Sequence, residues 1–371
     1  MSATPVRTLA GAVKPQIAKL VPYSPGKPIH EVQRELGLTD VIKLASNENP
    51  FGPAPEVIEA IRAAVPAIGL YPDAGAVDLR NALAERHQVT LDHISVGNGS
   101  DEILQLLGYA VLDEGDELII GDPTFARYEP QAIINRAVAV KVPLRDGVHD
   151  VDAMAAAVTD RTKAIFLCNP HNPCGTFVPD RDIERLLETV PPHVLVVLDE
   201  AYDEFVDHPD HGRSQAMCLA RPNVMILRTF SKIHALAALR LGYAIAPPEL
   251  IRWLEQVREP FNVNSLAQVA GVAALRDEQH VAQTIAANAA GRHVYYAACE
   301  RLGIKALPSQ ANFVLMDLGR PDQPVYEALL RRGVIVRTGT PLGLPQHIRV
   351  TVGTPEQCER FVQALAEALR A

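Results

Sequence analysis

The sequence predicts an α/β fold, with a mainly parallel central sheet flanked by helices and a smaller C-terminal α+β unit. Three observations predict it. Short, continuously apolar runs at Ala164–Cys168, Val194–Leu198, Val224–Leu227 and Leu241–Ile245 read as strands covered on both faces. Helical patterns separate these runs at the spacing of α/β repeats. The 371 residues also exceed the length over which one core usually keeps growing, so two domains are expected.

The elements follow in order. Residues 1–45, rich in proline and glycine as in Val21-Pro-Tyr-Ser-Pro-Gly-Lys-Pro28, read as an N-terminal arm with one short helix near Glu31 to Leu36. Such an arm is expected to join the smaller unit and a partner subunit. Residues 46–260 form the large domain, opening its sheet with Ile94–Gly97 and Glu117–Ile120. Residues 261–371 read as linker helix and small domain, with strands at Asn312–Met316, Val334–Arg337 and Ile348–Val352. Cys358, Phe361, Val362, Leu365 and Leu369 share one face of a helix after Pro355, which places Cys358 in a core.

Composition narrows the function classes. A formal charge of −9, from 35 basic and 44 acidic side chains with no basic stripe, argues against nucleic acid as a partner. No stretch is apolar for the length a bilayer requires, and the opening residues lack a signal pattern, so a cytoplasmic protein without membrane attachment is expected. Five scattered cysteines without metal-finger spacing indicate neither a disulfide framework nor a metal site.

The chemistry is concentrated at strand ends, where open α/β sheets bind ligands. One run ends in Asp199-Glu-Ala-Tyr202, and the next in Arg228-Thr-Phe-Ser-Lys232. An Asp and a Lys at neighbouring strand tips are what a pyridoxal-phosphate enzyme needs: the Lys to form the Schiff base, the Asp to partner the pyridinium nitrogen. Arg240 is close enough in sequence to lower the lysine's pKa. Alone, Lys232 also reads as a surface lysine and Asp199 as a loop carboxylate or cap. The turn Asn98-Gly-Ser-Asp-Glu102 leads into a helix that Ser100 is expected to cap, giving a phosphate cradle or an ordinary strand-to-helix turn. Asn169-Pro-His-Asn-Pro-Cys-Gly175 forms a rigid loop that aims Asn172, and Phe125 can stack on a flat ring or simply join the core. Together, in this order, the signals point to one site.

With Lys43-Leu-Ala-Ser-Asn-Glu-Asn-Pro-Phe-Gly-Pro53, Tyr71-Pro-Asp73, Ala237-Ala-Leu-Arg240 and Ile348-Arg-Val-Thr-Val-Gly353, these strings resemble the histidinol-phosphate aminotransferase family. That family lies within fold type I of the pyridoxal-phosphate enzymes, and the resemblance covers almost the whole chain. It implies a homodimer with shared active sites that moves the amino group of L-glutamate to imidazole-acetol phosphate in histidine biosynthesis. It makes Lys232 the Schiff-base lysine, Asp199 the pyridinium partner, and Asn172 with Tyr202 the donors to the ring oxygen. Phe125 takes the stacking place; Gly99, Ser100, Ser231 and Arg240 hold the cofactor phosphate, and Tyr71 reaches it from the partner subunit. Arg349 matches the arginine for the α-carboxylate, and Tyr23, Asn49 and Arg337 match substrate-binding positions. Phe125 and Phe261 stand where tyrosines often occur, Cys174 replaces a usual Thr, Ala238 a usual Gly, and His234 fills an aromatic slot. Two absent tyrosine hydroxyls leave a more apolar pocket, which keeps an aromatic-amino-acid aminotransferase as the alternative. A related decarboxylase and a cofactor-binding regulator are more distant readings, and no basic helix-turn-helix segment supports the regulator.

Overall fold

The computed structural model describes residues 13–22 and 26–370. In chain order the strands are β1 (Ile42–Lys43), β2 (Ile94–Asn98), β3 (Glu117–Asp122), β4 (Val138–Pro143), β5 (Thr162–Cys168), β6 (Leu195–Asp199) and β7 (Val224–Thr229). They continue with β8 (Leu241–Ile245), β9 (Lys305–Ala306), β10 (Phe313–Asp317), β11 (Val334–Ile335), β12 (Arg337–Thr338) and β13 (His347–Thr351). A seven-stranded sheet runs β2-β8-β7-β6-β5-β3-β4. All its pairings are parallel except those of β8, which is antiparallel to both β2 and β7.

Period-two alternation explains why its central strands are apolar throughout. Ile165, Leu167, Val196, Leu198, Val224 and Ile226 join the core on one face. Their neighbours Ala164, Phe166, Leu195, Val197, Met225 and Leu227 join the core on the other. Edge strand β4 escapes that pattern. It pairs with β3 only, and although Ala137-Val-Ala-Val140 is a short apolar run, most of its residues are exposed or half-buried.

Val263, Ala267, Ala270 and Ala274 continue the first core beyond residue 260. The helix Ser265–Ala274 starts where Asn264 accepts a hydrogen bond from the Ala267 N–H at 2.8 Å. The chain then crosses through the 25-residue helix Glu278–Leu302, which Gly303 ends in the left-handed region. The second unit is a four-stranded antiparallel sheet, β12-β13-β10-β9. Parallel pairing of β1 with β11, and burial of Leu44 in the same core, tie the segment before the large domain to this unit. Helix Pro355–Ala368 covers it through Cys358, Phe361 and Leu365, and begins with a reciprocal Thr354–Gln357 capping box. Among the described residues no helix is long and apolar enough to cross a membrane.

Candidate active site

A cavity of about 490 Å³ opens beyond the carboxyl ends of the parallel strands, where the two units meet. Its wall includes Asp199 from the end of β6, Lys232 from the turn after β7, and Asn172 from the loop after β5. The strand ends are held in register by Cys168 opposite Asp199 and Asp199 opposite Leu227. Arg228 strengthens that clamp: its guanidinium pairs with Glu200 and Asp203 at 2.7 Å each, beside both candidate catalytic groups.

Lys232 is half-buried on the cavity wall, its Nζ 3.5 Å from the Ser46 carbonyl oxygen. Burial pushes its pKa down to about 8, assisted by Arg349 and, less strongly, Arg240. Asp199 is buried, and burial raises its carboxyl to about 6 against the opposing Tyr128 hydrogen bond. Its Oδ2 accepts from the Tyr128 hydroxyl at 2.6 Å, while its Oδ1 is buried with no hydrogen-bond partner among the described residues.

Tyr202 is fixed from two sides. Asn47 and Asn172 each donate a side-chain N–H to its hydroxyl oxygen, at 2.9 and 3.2 Å. With its lone pairs engaged, the hydroxyl keeps its proton for an acceptor in the cavity. Arg349 donates to the Asn172 carbonyl oxygen at 2.5 Å, which sets the orientation of that amide. On the same wall Arg337 lies directly opposite Arg349 across β12 and β13, and both are buried. Phe125 and Ser231 also line the cavity.

The expected phosphate cradle has one correction. Ser100 does not cap the helix Ser100–Val111; it is the first helical residue, and Gly99 occupies the cap position with φ +77° and ψ 165°. That backbone region is essentially open to glycine alone. A Cβ at Gly99 would come within 2.6 Å of the Arg240 guanidinium, whose other nitrogen donates to the Ser231 hydroxyl at 3.4 Å. Amide donors, two hydroxyls and one guanidinium thus converge at a helix N-terminus.

Other residues fall elsewhere. Asn49 lies outside the cavity lining, donating to the carbonyl of Ile233 at 2.9 Å. Tyr71 is 83% exposed, also outside the cavity, and stacks on Phe261 at 4.7 Å between ring centroids. Cys174 is buried and His234 packs on Phe230. Tyr23 lies outside the described residues. Sequence reasoning passed over Tyr128 and Asn47, although Asn47 sits in a motif it singled out; nothing in a sequence tells a buried hydroxyl's partner.

The donor set fits pyridoxal phosphate on its own evidence. An orphaned buried carboxylate oxygen awaits a ring N–H, a lysine of lowered pKa shares its cavity, and a glycine-lined cradle suits the phosphate. Fold and site define the class: a pyridoxal-phosphate-dependent aminotransferase. The family model for class I and II aminotransferases matches residues 39–365. The histidinol-phosphate aminotransferase of Moorella thermoacetica is 51% identical over 95% of this chain and 92% of its own length. That of Symbiobacterium thermophilum is 48% identical over 96% and 99%. Among solved structures, the Sinorhizobium meliloti histidinol-phosphate aminotransferase in complex with pyridoxal-5'-phosphate superposes with a TM-score of 0.88. It is 27% identical over 96% of this chain and 97% of that one. A Thermus thermophilus aspartate aminotransferase mutant gives 0.83 at 26% identity over 96% and 99%. The chain belongs to the class I and II aminotransferases, in the histidinol-phosphate aminotransferase family.

Proposed function

We propose that this chain transfers the amino group of L-glutamate to imidazole-acetol phosphate, giving L-histidinol phosphate and 2-oxoglutarate, as a cytoplasmic homodimer. The observation that carries the reading is the pairing of Lys232 with the unpartnered Asp199 Oδ1 in one cavity. The names of the relatives supply the substrate pair.

Bound there, pyridoxal phosphate supplies an electron-withdrawing ring and a carbonyl carbon that carries the amino group between substrates. Lys232, partly neutral at physiological pH, would take a proton from the substrate α-carbon and deliver it to the cofactor carbon that carries the amino group. Asp199 keeps the ring nitrogen protonated, Tyr202 and Asn172 donate to the ring oxygen, and Phe125 covers a ring face. Gly99, Ser100, Ser231 and Arg240 hold the phosphate, with Tyr71 of a second copy completing that site. The fork-shaped guanidiniums of Arg349 and Arg337 suit an α-carboxylate and a substrate phosphate or second carboxylate. The family resemblance also assigns Tyr23 and Asn49 to substrate binding, with Asn49 outside the cavity lining and Tyr23 outside the described residues.

The test is to load the protein with pyridoxal phosphate and follow its visible band without keto acid. L-Histidinol phosphate should abolish the band at concentrations where L-phenylalanine leaves it. Equal loss with phenylalanine would make the protein an aromatic or broad aminotransferase.

A further inference from the structure

Tyr128 opens the helix Tyr128–Ile134 and is wholly buried. Its hydroxyl donates to Asp199 Oδ2, and its ring meets Phe125 edge-on at 5.5 Å and 83°. One side chain therefore touches both the carboxylate assigned to the cofactor's ring nitrogen and the aromatic assigned to its ring face. Because burial holds the Tyr128 phenol well above its ordinary pKa, it stays a neutral donor throughout the working range.

The consequence lies in the two oxygens of Asp199. Oδ2 already accepts from Tyr128, which leaves Oδ1 as the unpartnered oxygen for a ligand. Burial by itself favours the protonated acid, and the Tyr128 hydroxyl is the strongest influence opposing it. We propose that Tyr128 is a positioning residue that aims Asp199 Oδ1 at the cofactor's ring nitrogen and keeps their shared proton on the nitrogen. This rests on the assignment of Asp199 above. Without the hydroxyl, the proton moves from nitrogen to carboxylate oxygen: the N–H bond breaks, an O–H bond forms, and the total proton count is unchanged. The ring is then neutral and withdraws electrons less well.

Tyr128→Phe keeps the ring and its packing while removing only the donor. With nitrogen-15-labelled pyridoxal phosphate, NMR of the wild-type holoenzyme should give a protonated ring nitrogen, and Y128F should move it toward the unprotonated position. In Y128F kcat should fall about 10- to 100-fold, the range expected for one hydrogen bond to a charged group, with KM for glutamate little changed. Phe166→Leu loosens the other edge contact of Tyr128, at 5.4 Å, but spares the hydroxyl, and should leave the nitrogen signal in place. A wild-type signal in Y128F overturns the inference, as does an equal displacement in F166L, which would reduce Tyr128 to packing. An unprotonated nitrogen in the wild type instead removes the Asp199 assignment, and the inference with it.

Discussion

The base role proposed for Lys232 depends on where the side chain is held. At pH 7 an amine of pKa about 8 is neutral in roughly one molecule in ten, against about one in three thousand at the ordinary 10.5. That difference of ~300-fold comes from burial first and neighbouring guanidiniums second. Neutral amine increases as pH rises, so competitive acetylation of the unloaded protein should give Lys232 a reactivity midpoint near pH 8. A Lys232 midpoint above 10 would mean that the cavity does not activate it. That Lys232 and Asp199 would meet in one cavity was legible in the sequence, because covalent cofactor chemistry needs those residue types at neighbouring strand ends. Tyr128 and Asn47 were not, since their roles consist of hydrogen bonds to Asp199 and Tyr202 across the fold.

Among elements, the turn between β2 and the helix Ser100–Val111 is the proposed phosphate site, and its backbone conformation carries that proposal. Gly99 is required twice, by its positive φ and by the approach of Arg240. Gly99→Ala should cost about 1–3 kcal/mol of stability and weaken pyridoxal phosphate binding, measured by urea unfolding and by cofactor titration. Unchanged cofactor affinity would remove this turn from the phosphate site. The sequence placed the turn correctly but chose Ser100 as its cap, because hydroxyl residues usually cap helices and composition does not reveal a glycine's φ. The buried strands β5 to β8 were readable from their apolar runs, whereas β4 was passed over, its short run Ala137-Val-Ala-Val140 being interrupted by Lys141 and half-exposed at an edge.

At the scale of the molecule, a polar chain along the cavity wall joins the two units. Arg349 of β13 holds Asn172, which holds Tyr202, and Asn47 links Tyr202 back to Thr351 of β13. The sequence anticipated a second unit, but not that its last strand would orient groups on the first. Ile68, Leu70 and Tyr71 are 61%, 74% and 83% exposed, a cluster of apolar surface beside the cofactor-binding unit. Sedimentation should find a dimer, and Tyr71→Ala should raise the dissociation constant for pyridoxal phosphate; a fully active monomer would contradict the shared site. The most direct test of the whole account is borohydride reduction of the protein loaded with pyridoxal phosphate, followed by peptide mass mapping. One cofactor should be fixed per chain, on Lys232; a label on another lysine, or none, would rule out Lys232 as the lysine that holds the cofactor.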